Sequence, residues 1–346
     1  MSGFHLGGAV PLASTAYVAR RFERDTRAEL DMGRWVLLLG PRQHGKSSGL
    51  LRIRKDLRSC GVRCALVDLQ AMPLAERLED AVSWFCTSVA HDLEVGESSR
   101  GSRNTEILPR LEALPTGEGR VVIIVDEAAA IENARLRDNF YGQLRAISNR
   151  RALASATELS ARLSCVFAGT FRPERLVDDP KNSPLNVCER VETDDLTSTQ
   201  AAALWRNVTG QTDSAEVTDA FGLVGGQPFL LQRIFDRLLR VGSDERALEL
   251  ERVTASLGRG TDAHLTGLFR RIREEPALVA LAERLVDGPI EYVPADLDLQ
   301  HLEVLGFASR LGEQAMIRNA LYDKIARALI GGSAQLEYPS IGRTRP

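Results

Sequence analysis

Along the chain as far as residue 191, short β-branched or apolar runs alternate with longer stretches that read as helical. The runs are residues 34–39, 62–68, 121–125, 163–168 and 187–191. Uninterrupted apolar runs suit strands buried on both faces. Their alternation with helical stretches predicts an α/β fold: a parallel five-stranded sheet with helices on each side. A helix is expected before the first strand, at 14–30, ending near Gly33. From residue 193 the period is helical throughout, at 198–207, 215–223, 228–240 and 244–257, punctuated by Gly225, Gly226 and Pro228. A third region begins near His264. It reads as helices at 265–274, 277–285 and 296–305, two short strands at 307–311 and 314–318 turning at Gly312, and a last helix at 320–330. Helices followed by a small hairpin predict a winged-helix module.

The first strand runs into Gly40-Pro41-Arg42-Gln43-His44-Gly45-Lys46-Ser47-Ser48, and a helix follows at 48–58. Residues 40–47 fit G-x-x-x-x-G-K-[ST] at every fixed position. Between a buried strand and a helix N-terminus, such a loop wraps phosphates with backbone N–H groups, and the helix end adds partial positive charge. Lys46 is expected on the β- and γ-phosphates of ATP, and the Ser47 hydroxyl on Mg²⁺. The run 121–125 ends in Asp126-Glu127, far enough past the loop for a three-layer sheet to return beside it. Asp126 is expected to hold Mg²⁺ directly or through water, and Glu127 to act as general base on an attacking water. A third strand ends in Gly169-Thr170-Phe171-Arg172. Thr170 and Arg172 both qualify as a group sensing the γ-phosphate, Arg172 with a catalytic role, and the sequence does not choose between them. Arg150 and Arg151 close the preceding helix and read more simply as solvated helix-end cations than as an arginine finger.

Taken in order, these pieces resemble the AAA-like domain of the STAND class of signal-transduction ATPases, found widely in bacteria. The resemblance covers residues 4–330. Besides the phosphate loop it rests on segments 4–11, 17–20, 139–141, 149–152, 168–170, 183–186 and 317–322, and above all on Gly-Gly-Gln-Pro-Phe-Leu-Leu-Gln at 225–232. It implies a nucleotide-binding core, a helical lid and a winged helix folded back on them. It also implies that Pro228 packs against the adenine from the lid, and that the segment from Tyr17 to Arg20 borders the base or ribose. The expected division is an adenine-side segment (1–33), the P-loop core (34–192), a lid (193–263), a winged helix (264–332) and a loose tail (333–346). Larger relatives carry an effector domain or repeat array, and residues after 330 leave no room for either. An effector or sensor is therefore expected on a separate chain.

Composition narrows the function further. Hydrophobic residues make up 44% and charged residues 26%, ordinary for a globular chain, and the net charge of -3 does not draw it to nucleic acid or anionic lipid. No apolar run approaches the ~20 residues that cross a bilayer, and residues 1–10 lack a signal-peptide pattern. The five scattered cysteines read as reduced thiols of a cytoplasmic protein, and Cys60 and Cys64 have no second pair with which to hold zinc. Residues 265–330 hold eight arginines and lysines against ten acids, and the helix at 296–305 has three acids and no Lys or Arg. Phosphates would repel that helix, which argues against DNA as its partner. The expected function is an ATP/ADP-controlled switch with slow hydrolysis, possible self-association and control of a partner protein, in signalling or phage defence. The alternatives are a DNA-associated AAA-type ATPase of transposition or replication, and a structural nucleotide-binding module without turnover.

Overall fold

The computed structural model describes residues 3–96, 105–212, 215–260 and 262–329; the expected tail at 333–346 lies outside them. The first body is a sheet wrapped by helices, in the order α1 (Arg21–Asp31), β1 (Trp35–Leu39), α2 (Lys46–Ser59), β2 (Arg63–Asp68), α3 (Leu78–Asp92), α4 (Ile107–Glu112), β3 (Val121–Asp126), α5 (Ala134–Arg150), α6 (Leu159–Arg162), β4 (Leu163–Gly169) and β5 (Cys188–Glu192). Every residue of β1, β3 and β4 is buried. The reason is the period of two: Leu37, Val125 and Phe167 point into one apolar cluster under α3 and α5, while Val36, Ile124 and Val166 point into the other under α1 and α2.

The strands lie parallel in the order β2-β3-β4-β1-β5. Inserting β4 between β1 and β3 separates the phosphate-loop strand from the strand carrying the acids. It sets the tip of β4 between the two.

The helix expected at 14–30 begins only at Arg21. Residues before it are claimed by side-chain bonds: Glu23 Oε1 accepts from Arg20 N at 2.8 Å and from Tyr17 Oη at 2.6 Å, closing the N-terminus one turn in. Arg20 is thereby freed to reach other carbonyls.

Beyond the sheet follow α7 (Ser198–Thr209), α8 (Ala215–Val224), α9 (Pro228–Leu239) and α10 (Arg246–Gly258), then α11 (Ala263–Glu274), α12 (Pro276–Asp287), β6 (Ile290–Glu291), α13 (Leu297–Leu305), β7 (Ala308–Leu311), β8 (Gln314–Ile317) and α14 (Ala320–Leu329). The last three strands form an antiparallel sheet in the order β6-β8-β7. β6, at two residues, is too short to leave a periodic signal and was not expected. Helices α7–α10 and the elements after them share one hydrophobic cluster, which also takes in Phe4 and Ala16 from the N-terminal segment. The stretches expected as lid and winged helix thus pack as one body, and the N-terminal segment divides between that body and the sheet, where Phe22 and Leu30 are buried.

Candidate functional site

The loop between β1 and α2 is bent by two left-handed residues, Gln43 (φ 56°) and Gly45 (φ 81°). Gly40 is demanded by close approach: a Cβ there would lie 1.9 Å from Thr193 Oγ1. Lys46 is buried and folded back along the loop. Its Nζ donates to Gly40 O (2.9 Å), Pro41 O (2.8 Å) and Thr170 Oγ1 (2.9 Å). Burial lowers its amine to about 8, opposed by the charges of Glu127 and Asp126 and reinforced by Arg42 and Arg271. Its present acceptors are neutral, so phosphate oxygens would be stronger partners.

At the tip of β3, Asp126 is 5% exposed and accepts from Ser47 Oγ at 2.6 Å and from Glu127 N at 3.0 Å. Burial raises its pKa against those two bonds and the charge of Lys46. Two hard oxygens on adjoining elements, a hydroxyl and a carboxylate, are the donor set that suits Mg²⁺, so the residues fit the expected ion. Glu127 follows in the left-handed region at φ 48°. A non-glycine residue holds that conformation only where its surroundings enforce it. Here Ala128 N is tied to Ala168 O at 2.8 Å, which turns the chain sharply and half-buries the Glu127 side chain.

A cavity of about 430 Å³ opens over the loop, lined by residues 42–48 and Glu127 on one side and by α11 on the other, through Ala263, His264, Gly267, Leu268, Arg270 and Arg271. Arg42, Glu127 and Arg271 also border a second cleft of about 540 Å³ that reaches Thr170. Arg42 and Arg271 thus stand with Glu127 at the border between the two, while Lys46 and Arg270 line the first cavity alone. No pattern in α11 marked it as a wall; its paired arginines were the available hint.

Residues 6–327 match the family model of the AAA-like domain. The chain belongs to the AAA-like domain family. Its architecture is similar to the Walker-type ATPase of Pyrococcus abyssi, at 15% identity and a TM-score of 0.60 over 90% of this chain and 96% of that one, which establishes a shared P-loop ATPase fold. It is also similar to the ORC2 protein of Aeropyrum pernix, with 13% identity and a TM-score of 0.49 over 90% and 93% of the two chains. An uncharacterized WD repeat-containing protein of Synechocystis is 25% identical over 251 residues, 67% of this chain; the chain spans 20% of that relative's length.

Within this AAA-like domain several expected site residues stand away from the cavity lining. Thr170 touches Lys46, whereas Arg172 turns to the C-terminal elements, pairing with Glu275 at 3.3 Å and with Asp298, and donating to Leu297 O at 3.1 Å. The γ-phosphate role expected of Arg172 gives way to an interface clasp, because two carboxylates draw the guanidinium there. Tyr17 lies under the Arg52 guanidinium and bonds Glu23. Arg20 donates to His44 O at 2.6 Å and Asp194 O at 2.5 Å, bracing the loop from behind. Pro228 starts α9 outside the lining, while the preceding Gln227 side chain reaches Gln43 O at 3.4 Å. Arg151 donates to Gly33 O and Arg150 lines a separate groove between α4 and α5.

Sequence reading also missed the anchor of His44. Fully buried, it pairs Nε2 with Asp195 Oδ1 and Nδ1 with Thr193 Oγ1, both at 2.7 Å. Burial lowers its pKa to about 3, so the ring is neutral; since the carboxylate can only accept, Nε2 is the donor and Nδ1 accepts from the threonine. Burial alone would raise Asp195, but the His44 hydrogen bond and Arg318, at 2.8 Å, carry it below the usual carboxylate range. Arg318 sits at the end of β8 beside Gly306, where a Cβ would lie 2.6 Å from Pro41. The C-terminal body is seated directly on the phosphate loop. A carboxylate pair immediately after β5 was the only local trace of this anchor.

Proposed function

We propose that this AAA-like protein is an ATP-binding switch of the STAND type that hydrolyses ATP slowly and answers the nucleotide by moving its C-terminal body, a helical lid joined to a winged helix. The observation that carries the reading is the cavity with the phosphate loop on one wall and α11 on the other. A ligand there touches both bodies, so its phosphates bias their relation. Lys46 would exchange its loop carbonyls for β- and γ-phosphate oxygens, with Arg42 and Arg271 adding positive charge. Ser47 and Asp126 would hold Mg²⁺, which supplies charge neutralisation on the phosphates. Glu127, at the mouth of the second cleft, would orient water as a base.

DNA is disfavoured as the partner of the C-terminal body because α13 and its cap carry three acids and no Lys or Arg to meet phosphates, and these acids serve the fold. Asp296 caps the helix, Asp298 pairs with Arg172, and Glu303 accepts from Tyr292 Oη. The controlled partner is better sought as a separate protein chain or a second copy of this one. Phosphate release from Mg-ATP over a series of protein concentrations tests the proposal. Turnover should rise with concentration if self-association completes the site, and Glu127→Gln should lower it by about 10²- to 10⁴-fold with ATP affinity kept. A nucleotide-independent protease pattern in α11 would sink the switch even if turnover were present.

A further inference from the structure

The five-stranded sheet has two outer edges, β2 and β5, and the chain treats them differently. Successive residues of a strand turn their backbone groups to opposite sides, so every second residue of an edge strand offers its N–H and C=O outward. Arg63 N bonds inward to Arg120 O, which leaves Cys64 O and Leu66 N as the outward groups at the centre of β2. Both are sealed by side chains. Arg58 Nε donates to Cys64 O at 2.9 Å, and Asp92 Oδ2 accepts from Leu66 N at 2.8 Å.

The edge of β5 has no such seal. Thr193 N bonds inward to Leu39 O at 2.9 Å, so Arg190 and Glu192 face outward. Among the described residues, no hydrogen bond reaches the backbone N–H or C=O of either. A cleft of about 530 Å³ opens beside the strand, lined by Arg190 and Glu192 and, from α1, by Arg21 and Asp25. An edge of like charges would repel a second strand. Here Arg190 and Glu192 carry opposite signs on one face, both exposed and 2.8 Å apart. Burial raises the carboxyl of nearby Glu303, a hydrogen bond from Tyr292 opposes this, and the charge of Glu192 raises it further. A second cation at Glu192 would therefore be welcome.

We infer that β5 pairs antiparallel with β5 of a second copy of this chain across a two-fold axis, with Arg190 opposite the partner's Glu192. A strand related to itself by a two-fold axis is antiparallel, and only its outward residues exchange hydrogen bonds. This register uses the free N–H and C=O of Arg190 and Glu192 on each copy, four bonds in all. It lays four charges of alternating sign on one face and sets Val191 against the partner's Val191 on the other. Sliding by one pair sets Glu192 against Glu192, or Arg190 against Arg190. The latter also calls on Cys188 N, which already donates to Leu185 O. None of the strand lines the cavity over the phosphate loop, so the pairing goes beyond the nucleotide reading and needs no ligand.

A five-residue strand makes a small contact, so the dimer should be weak and form as concentration rises. Sedimentation equilibrium of the full chain without nucleotide, from low to several hundred micromolar, tests it. The wild type should pass from monomer to dimer. Arg190→Glu and Glu192→Arg should each weaken association by about 30-fold, because attractive cross-strand pairs become repulsive. Combining the two should regain wild-type association, since the alternation of charge returns. A second measurement needs no substitution: amide hydrogen exchange at Arg190 and Glu192 should slow as the wild type is concentrated, with Leu66 unchanged. A wild type that stays monomeric overturns the pairing. So does a dimer indifferent to the single variants, or a double variant that stays dissociated. Slow exchange at 190 and 192 that does not depend on concentration would mean that another segment of the same chain covers the edge, and overturns it as well.

Discussion

The two walls of the cavity are built by opposite means. The phosphate wall is one contiguous loop, residues 40–48, set between a buried strand and a helix and pinned from behind by Arg20, Thr193 and Asp195. The opposing wall is a helix more than two hundred residues further along the chain, and it belongs to a separate hydrophobic cluster. It is held in place by charged clasps, Arg172 on Glu275 and Asp298, and Arg318 on Asp195. The first wall owes its shape to backbone geometry and the second to side-chain pairing between bodies. Such an arrangement suits a site whose ligand is gripped by a rigid half and reported by a movable one.

The sharpest break in that comparison comes from the phosphate wall. Lys46→Ala should weaken Mg-ATP binding on the order of 10²- to 10³-fold, because a charge-assisted contact to two phosphates has no substitute. Titration calorimetry showing affinity within threefold of wild type would mean that the loop does not hold the phosphates. Next in size is Asp195→Ala, which removes the acceptor of both His44 and Arg318. Leaving a buried ring and a guanidinium unpaired should cost about 2–3 kcal/mol in a urea titration.

Arg172→Ala should cost less, about 1–2 kcal/mol, since both carboxylates it leaves are partly solvated. Its signature should be faster hydrogen exchange in α11 and α13 with turnover at saturating ATP nearly unchanged. A collapse of turnover with unaltered exchange would restore Arg172 to the chemistry.

The smallest effect concerns pH. His44 is held neutral in the folded protein, with its pKa lowered by burial to about 3, whereas the unfolded chain protonates near the ordinary histidine value. Unfolding therefore takes up a proton below about pH 6.5, and stability falls as the pH drops from there towards 3. Between pH 7 and 6, His44→Gln should flatten the decline by about 0.7 kcal/mol. An identical slope in the variant would show that His44 is not the group responsible.

Much of the sheet body was legible along the chain. Five short runs became five strands within a residue or two. β1, β3 and β4, buried on both faces, leave an uninterrupted apolar signal, whereas β5 is mostly exposed and its run shows only β-branched ends. The phosphate loop and Asp126-Glu127 were equally plain, because their chemistry is carried by adjacent residues whose spacing is local. Thr170 and Arg172 could not be separated in that way. Both stand past the same strand tip, and only the position of Glu275 and Asp298, a hundred residues later, draws one of them away.

The second wall lay beyond any local pattern. Arg271 reads as a solvated cation until the cavity forms around it. The amino-acid sequence by itself determined the elements and the phosphate-loop motif, since dihedral preference, period and motif spacing act between neighbours. The tertiary structure alone decided which helix closes the site and which charges clasp it. Those choices rest on contacts between residues that the chain brings together only when two hydrophobic cores are packed against each other.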